Sequence, residues 1–203
     1  MINKTLNIHD NLVEDEFLFN LNQNMDNGKW SFDCSGGISK KYPKGYDYRF
    51  WKIALFEKNE FDINYVSTEH ILLVNQLFGF LEFYTKNFIP NLELLPLTIH
   101  CNGQTIGQNG GVHLDNLHET LPNYTLMIMI NNKWEKEWGG QFEITETQDS
   151  NSKIVKSIDY VPGRVIFFDG LLPHRGMAPL VPNILRKTIA YKLVQVSNKM
   201  VTK

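Results

Sequence analysis

The residues of this chain best suited to metal chemistry lie in the stretch Val112-His-Leu-Asp-Asn116. Side chains two apart along an extended strand point to the same face, so His113 and Asp115 would project an imidazole and a carboxylate into one space. A second imidazole, His174, follows far downstream in Leu172-Pro-His-Arg-Gly176. Two histidines and one carboxylate suit a ferrous ion and leave coordination positions open for other ligands.

A histidine and an aspartate at this spacing occur by chance in many sequences, so the pair gains meaning from the segments that follow it. In chain order these segments are Trp138-Gly-Gly-Gln-Phe142, Val161-Pro-Gly-Arg-Val-Ile-Phe-Phe-Asp-Gly170, the His174 segment and Arg186-Lys-Thr188. Together they resemble the 2-oxoglutarate- and Fe(II)-dependent dioxygenase superfamily, and most closely its prolyl 4-hydroxylase-like branch. The resemblance extends from Leu97 to Leu193.

The resemblance implies a role for each polar residue of these motifs. His113, Asp115 and His174 would bind Fe(II), which 2-oxoglutarate would chelate through its keto oxygen and C1 carboxylate, leaving a position for O2. Arg186 would bind the far carboxylate of 2-oxoglutarate through two parallel hydrogen bonds. Thr188 would share the face of Arg186 in a strand, whereas Lys187 would point the other way, into solvent.

The reaction that the resemblance implies is hydroxylation of a C–H bond, coupled to conversion of 2-oxoglutarate to succinate and carbon dioxide. The cofactors would be Fe(II), 2-oxoglutarate and O2, with ascorbate as an optional addition. Halogenating relatives lack the carboxylate ligand, so Asp115 favours hydroxylation.

Three functions compete for the same motifs. Peptidyl proline is the first substrate that the resemblance suggests, although collagen-type prolyl 4-hydroxylases characteristically bind the far carboxylate with lysine, where this chain has Arg186. A free amino acid or another small metabolite is the alternative substrate. A non-enzymatic jelly-roll binding module with a structural ion is the third function, and the Arg186-x-Thr188 pair argues against it because a structural ion needs no dicarboxylate anchor.

Four residues are our candidates for substrate contact. Arg49 and Trp51 follow a glycine-rich stretch, residues 34–45, which together with the aromatic segment 46–51 could form a lid that excludes water. Trp138 could line the mouth of the site or pack in the core. Arg175 directly follows His174. The other histidines, His9, His70, His100 and His118, are predicted to be structural.

Composition limits the remaining classes of function. The chain has 203 residues, enough for one domain, and a formal net charge of −2 that gives no drive toward nucleic acid or an anionic membrane. Cys34 and Cys101 stand in unrelated contexts and are predicted to be free thiols of a reducing compartment. No basic and apolar leader and no membrane-length apolar run is evident, so we predict a soluble, cytoplasmic protein.

The order of elements predicts an α+β fold with a double-stranded β-helix, or jelly roll. Asn11 and Glu14 form a capping-box pattern for a helix ending near Met25, and Thr68 is the predicted N-cap of a helix over 69–88. These helices, within a support of about residues 1–95, would pack on one sheet of a jelly-roll core at about 96–196. The predicted strands of that core are 97–101, 112–115, 124–130, 141–145, 154–160, 164–168 and 188–196.

Overall fold

The segments that carry the candidate metal ligands belong to a jelly roll in the computed structural model of the chain. The structure describes residues 4–33, 49–58, 63–115, 120–149 and 151–196. Two antiparallel sheets and two helices make up this part of the chain, which confirms the predicted fold class.

The described ranges contain two α-helices and eleven strands. In chain order they are β1 (Leu6–His9), α1 (Asp15–Asp26), β2 (Ser31–Asp33), β3 (Phe50–Lys58), β4 (Ile63–Val66), α2 (Ile71–Phe88), β5 (Leu94–Gln104), β6 (Asn123–Met129), β7 (Phe142–Thr145), β8 (Ile154–Ile158), β9 (Val165–Asp169), β10 (His174–Gly176) and β11 (Arg186–Gln195).

The larger sheet has the strand order β1-β9-β6-β11-β5-β3-β2, with β4 also paired to β3, and the smaller sheet has the order β10-β7-β8. Strand β11 lies at the centre of the larger sheet between β5 and β6. Its side chains alternate between the two faces of the sheet. Arg186, Thr188, Ala190 and Lys192 therefore share one face, and Ile189, Tyr191 and Leu193 share the other.

The helices cover the face that carries Ile189 and Tyr191. Leu21 and Met25 of α1 and Leu77 of α2 are fully buried in the same apolar core as these two residues. Burial of one such side chain contributes about 1.5–3 kcal/mol, so this core stabilises the sheet without using its opposite face. The opposite face is left for the smaller sheet and for the functional site.

A second apolar core joins the two sheets. Met129 and Phe168 of the larger sheet pack with Phe142, Ile144 and Ile158 of the smaller sheet. This core fixes the distance between β10 and the larger sheet, and so the place of His174.

The predicted start of the first helix at Asn11 is wrong. Asn11 has a φ angle of 59°, in the left-handed region, and helix α1 begins at Asp15 after Glu14, whose side chain makes no capping hydrogen bond. The reason is tertiary: Val13 is buried in the core, which pulls the segment before the helix into an extended path. The helix ends at Asp26, close to the predicted end.

The predicted start of the second helix is also early. Helix α2 begins at Ile71, and His70 takes the N-cap position without a side-chain hydrogen bond to the helix. Ser67 and His70 instead bond to each other, with 2.8 Å between Oγ and Nδ1, in a turn that contains the predicted cap Thr68. No helix within the described ranges is long and apolar enough to cross a membrane.

The predicted strand 112–115 does not form. In that stretch only His113 makes a β-bridge, and its partner is His174. Strands β1, β2, β4 and β10 were not predicted, because three or four residues are too few to show a periodic pattern. The loop 34–45, residues 46–48, His118 and Cys34 lie outside the described ranges, whereas Cys101 is a buried free thiol, as predicted.

Candidate metal centre and cosubstrate pocket

His113 and His174 are brought together by a two-way backbone bridge. The N–H of His113 donates to the carbonyl oxygen of His174 at 2.9 Å, and the N–H of His174 donates back at 3.1 Å. Their ring centroids lie 4.3 Å apart. Two residues remote along the chain thus share one site through main-chain bonds that do not depend on their side chains.

Backbone carbonyl groups fix the tautomer of both imidazoles. Nδ1 of His113 lies 2.8 Å from the carbonyl oxygen of Gly111, and Nδ1 of His174 lies 2.8 Å from that of Leu172. A carbonyl oxygen only accepts, so each Nδ1 carries the proton and each Nε2 presents a lone pair. Metal-binding histidines are commonly oriented by such a bond on the second ring nitrogen.

The carboxylate of Asp115 lies between the two Nε2 atoms. Its Oδ1 is 3.5 Å from Nε2 of His113, and its Oδ2 is 3.4 Å from Nε2 of His174. Oδ2 also accepts a 2.7 Å hydrogen bond from Oγ1 of Thr125 and forms an ion pair with the ammonium group of Lys192. The backbone N–H of Asp115 donates to the carbonyl oxygen of Gly170 at 2.8 Å, which holds the residue in place.

The protonation states of these groups suit a cation. Burial by itself raises the pKa of Asp115, but the charge of Lys192 holds it well below its ordinary value. Burial lowers the pKa of His174, although the carboxylate of Asp115 opposes this shift. The centre therefore offers an ionised carboxylate beside a neutral imidazole at neutral pH.

The residues present fit a ferrous ion. One ligand atom from each of His113, Asp115 and His174 lies within 4.8 Å of the other two. Two neutral imidazole nitrogens and one carboxylate oxygen are the facial donor set of non-haem Fe(II) sites. The structure thus brings the three sequence-predicted ligands to one point.

Arg186 is a buried cation with one unused donor. Its Nε donates to the carbonyl oxygen of Gly140 and its Nη1 to Oε1 of Gln104, both at 2.8 Å. The guanidinium carbon lies 5.1 Å from the ring centroid of Tyr160. Among the described residues, nothing accepts a hydrogen bond from its buried Nη2 atom. Burial lowers the pKa of Arg186 to about 10, so it stays charged at neutral pH and lacks a partner for that charge.

Gly176 gives the spacing between Arg186 and the metal ligands. A Cβ atom at Gly176 would lie 3.4 Å from Nη1 of Arg186 and 3.2 Å from Oε1 of Gln104. Gly176 follows His174 by two residues in β10, and a strand rises about 3.3 Å per residue, so the backbone position next to the guanidinium lies roughly 7 Å along the strand from that of His174. A short dicarboxylate such as 2-oxoglutarate matches this separation, and Thr188 lines the same wall.

The prediction that Lys187 is solvated is wrong. Its side chain is 2% exposed and lies on the helix side of β11, where its ammonium group forms an ion pair with Asp26. Because Lys187 points away from the cavity, it cannot share the role of Arg186.

One cavity of about 400 Å³ contains both the triad and Arg186. One side of it is the face of the larger sheet that carries Arg186 and Thr188, and the other side includes Phe142 and Gly176 of the smaller sheet. The residues that line it are Phe50, Lys52, Thr98, His100, Asn102, Gln104, Gly110, His113, Leu114, Asp115, Thr125, Met127, Phe142, Phe168, His174, Gly176, Arg186, Thr188, Ala190 and Lys192.

Arg49 and Trp51 are not brought to this cavity. Strand β3 turns Phe50 and Lys52 toward it, so the neighbouring Trp51 faces away and packs against Phe32, with ring centroids 5.1 Å apart. Arg49 precedes the strand and is exposed. The face of β3 that lines the cavity is thus the one opposite to Trp51.

Trp138 and Arg175 also lie outside the cavity wall. Trp138 ends a short 3-10 helix and packs edge-on against Trp134, with 5.6 Å between ring centroids. Arg175 binds the carboxylate of Glu143 on β7, with 2.7 Å between Nε and Oε2. Both residues stabilise the surroundings of the site rather than its wall.

Gly139 and Gly140 form a tight turn, with φ angles of 73° and 77°. The turn does more than reverse the chain. Trp134 donates a 3.0 Å hydrogen bond to the carbonyl oxygen of Gly139, and the carbonyl oxygen of Gly140 accepts from Arg186, so the turn helps to position the Arg186 guanidinium.

Several residues of the wall were missed from the sequence. Lys192 lies six residues after Arg186 on the same face of β11, so the two-residue alternation could have found it. Gln104 and Thr125 require knowledge of which strands pair. His100, predicted to be structural, lines the cavity, where burial and the charges of Lys192 and Lys52 lower its pKa to about 3.

Comparison with known proteins agrees with this geometry. Residues 97–191 match the model of the 2OG-Fe(II) oxygenase superfamily. No curated protein matches the chain significantly in sequence.

Solved structures share the fold at low identity. An oxidoreductase of the 2OG-Fe(II) oxygenase family from Burkholderia pseudomallei superposes with a TM-score of 0.71 at 13% identity, over 93% of this chain and 84% of that one. A prolyl hydroxylase from Trichoplax adhaerens was solved with a peptide fragment of the hypoxia inducible factor oxygen degradation domain. It gives a TM-score of 0.60 at 16% identity, over 94% of this chain and 82% of that one.

A viral collagen prolyl hydroxylase from Paramecium Bursaria Chlorella virus-1, solved as its 2OG complex, gives a TM-score of 0.58 at 14% identity, over 96% of this chain and 98% of that one. These structures share the overall fold of this chain. The jelly-roll part of this chain, residues 97–191, is thus similar in sequence to the 2OG-Fe(II) oxygenase superfamily, and the chain shares the fold of these solved structures.

Proposed function

We propose that the protein is a 2-oxoglutarate- and O2-dependent non-haem iron hydroxylase. The observation that supports this most directly is the pairing of the His113, Asp115 and His174 centre with the unpartnered Nη2 donor of Arg186 in one cavity. A buried donor without an acceptor costs about 1–3 kcal/mol, and a bound carboxylate removes this cost. A binding module with a structural ion has no use for such a group.

The chain's own residues would hold and orient the reactants. His113, Asp115 and His174 would hold the iron, and Arg186 would bind the far carboxylate of the cosubstrate with Nη2 and Nη1. When bound, iron and 2-oxoglutarate supply the oxidising power that places one oxygen atom of O2 on a substrate C–H bond, with formation of succinate and carbon dioxide.

The residues around the metal centre limit the access of water and fix the orientation of the Asp115 carboxylate. Met127, Phe142 and Phe168 give an apolar lining beside His174, which limits the access of water to the reaction site. Thr125 and Lys192 both bind Oδ2 of Asp115, so they fix the orientation of the carboxylate. Ligands held in this way by a second layer of polar groups are better preorganised for the metal.

Two substrate classes have support. Peptidyl proline is supported by the shared fold with the Trichoplax prolyl hydroxylase, which was solved with a peptide fragment. A free amino acid or other small metabolite is supported by the polar wall of the cavity, where Lys52 and Asn102 lie beside each other.

The test of the enzyme class is an anaerobic titration of the protein with Fe(II) and 2-oxoglutarate. We expect the weak visible charge-transfer band of the chelate, followed by succinate formation when O2 is admitted. His113→Ala should lose the band, whereas His70→Ala, at the start of α2 and away from the cavity, should retain it. A native protein that gives no band with excess iron would contradict the proposed function.

A further inference from the structure

The cavity has a polar wall that neither the metal centre nor the cosubstrate anchor uses. Lys52 of β3 and Asn102 of β5 are paired neighbours in the larger sheet, and both line the cavity. Within the described part of the chain, the ammonium group of Lys52 has no ion-pair partner. Oδ1 of Asn102 is buried and accepts no hydrogen bond from any described residue. An unpaired cation and an unsatisfied acceptor therefore stand side by side.

The charges of the cavity leave room for an anion. Three cationic side chains, Lys52, Arg186 and Lys192, line it, against one carboxylate, Asp115. The charges of a ferrous ion and of the 2-oxoglutarate dianion cancel each other, so the cosubstrates do not change this balance. Lys192 is already paired with Asp115, and Arg186 would pair with the far carboxylate of the cosubstrate, so Lys52 is left without an anionic partner. This favours a substrate that presents a carboxylate group to Lys52.

We propose that the substrate is a free amino acid, whose carboxylate binds the ammonium group of Lys52 and whose own ammonium group donates to Oδ1 of Asn102. This inference rests on the proposed hydroxylase function and names its substrate class. The two complementary groups of the wall match the two charged groups of a zwitterion. A residue inside a polypeptide carries neither group in free form.

The rest of the cavity suits a small molecule of this kind. A volume of about 400 Å³ lies near the lower end of ligand sites, and it must also hold the cosubstrate. Phe50 and Phe142 offer apolar surface for the hydrocarbon part of the substrate. His100, beside Asn102 on β5, stays neutral because burial and the charges of Lys192 and Lys52 lower its pKa, so it adds no positive charge beside Lys52.

The first experiment compares matched substrates with the native iron-loaded enzyme. Each free L-amino acid is supplied with 2-oxoglutarate and O2 beside its N-acetyl amide, in which both charged groups are blocked. At least one free amino acid should increase succinate formation and gain an oxygen atom by mass spectrometry, and its N-acetyl amide should do neither.

Three other outcomes would overturn the inference. Hydroxylation of N-acetyl amides or of proline peptides as fast as of free amino acids would exclude a zwitterion site. A panel in which no free amino acid is active would also exclude this site. If the protein still forms the anaerobic charge-transfer band in that case, the proposed hydroxylase function is not contradicted. Loss of the band as well would contradict the proposed function and the inference together.

The second experiment changes Lys52. Lys52→Met should raise the KM for the amino acid about ten- to a hundredfold, because a charge-assisted hydrogen bond is lost, and should reduce the preference for the acid over the amide. Lys52→Arg should restore part of that preference. Lys58→Met is the matched control, since Lys58 ends the same strand outside the cavity wall. Unchanged KM and preference in a folded Lys52→Met protein would show the inference to be wrong.

Discussion

The Nε group of Arg186 donates a 2.8 Å hydrogen bond to the carbonyl oxygen of Gly140, a residue with a φ angle of 77°. Residues with a side chain rarely adopt this conformation. A Cβ atom at Gly140 would also lie 2.8 Å from the ring of Trp134 and 3.2 Å from Cδ of Arg186. The position of the guanidinium group thus depends on a glycine at residue 140.

Gly140→Ala should therefore weaken cosubstrate binding as well as the fold. We expect a loss of about 1–3 kcal/mol in the free energy of unfolding, from backbone strain and contact with Trp134. The displaced Arg186 should also raise the 2-oxoglutarate concentration that half-saturates the anaerobic charge-transfer band. Chemical denaturation and a band titration measure the two effects.

Gly79→Ala is the control for this substitution. Gly79 lies inside α2, and a Cβ atom there would meet nothing within 4 Å. Alanine should stabilise that helix by about 0.5–1 kcal/mol and leave the 2-oxoglutarate titration unchanged. If Gly140→Ala titrates like the native protein, the Gly140 carbonyl is not needed to place Arg186.

Arg186→Gln tests the cosubstrate anchor itself. Loss of charge-assisted hydrogen bonds worth about 1.5–3 kcal/mol should raise the 2-oxoglutarate requirement about 10- to 150-fold. Fe(II) binding should persist, because Arg186 contacts none of the three metal ligands. Steady-state kinetics and metal analysis of the same preparation separate the two properties.

The control for Arg186 is Arg164→Gln. Nε of Arg164 lies 2.6 Å from Oδ1 of Asp10, and neither residue lines the cavity. This loss should cost no more than about 1 kcal/mol of stability and should not change the 2-oxoglutarate requirement. An unaltered requirement in Arg186→Gln would assign the anchor to another cation of the cavity.

The meeting of His113, Asp115, His174 and Arg186 in one cavity could be predicted, because these residue types occur in a fixed order along the chain. The face of β3 that lines the cavity could not be predicted from the sequence. Phe50 and Trp51 are both aromatic, so the alternation of apolar residues does not distinguish the two faces of the strand. The partnership of His113 with His174 depends on a single bridge between distant segments, which no local pattern shows. The capping pattern at Asn11 failed because burial of Val13 outweighs a cap.

His100 predicts how the stability of the metal-free protein changes with pH. Its pKa is about 3 in the folded chain, through burial and the charges of Lys192 and Lys52, against about 6.5 when unfolded. Below about pH 6.5 the unfolded chain binds a proton that the folded chain rejects, so stability is lost as pH falls from about 6.5 toward 3. The loss from this residue approaches about 1.4 kcal/mol per pH unit.

His100→Asn should therefore flatten the pH dependence. Denaturant unfolding at several pH values between 6.5 and 4, with metal removed, compares the variant with the native protein. The carboxyl of Asp115 does not titrate in this range because its folded pKa lies well below the ordinary value. Parallel curves for the two proteins would mean that His100 is protonated in the folded state or that its burial is relieved by solvent.

The ion pair of Lys192 with Asp115 predicts opposite effects on the metal-free and metal-bound forms. Without metal, Lys192 neutralises a carboxylate that is 6% exposed, so Lys192→Met should destabilise the metal-free protein by about 3 kcal/mol. With metal, the ammonium group repels the incoming cation, so the same variant should bind Mn(II) more tightly. Calorimetric titration with Mn(II) and denaturant unfolding measure these two changes.

Lys156→Met is the matched control, because Lys156 is exposed on β8 and distant from the cavity wall. It should change neither the Mn(II) affinity nor the unfolding free energy by more than about 0.5 kcal/mol. Weaker Mn(II) binding by Lys192→Met would reverse the argument. The ammonium group of Lys192 would then act chiefly by orienting the carboxylate of Asp115 toward the two imidazoles. The metal affinity gained from this orientation would exceed the affinity lost through repulsion between the ammonium group and the metal ion.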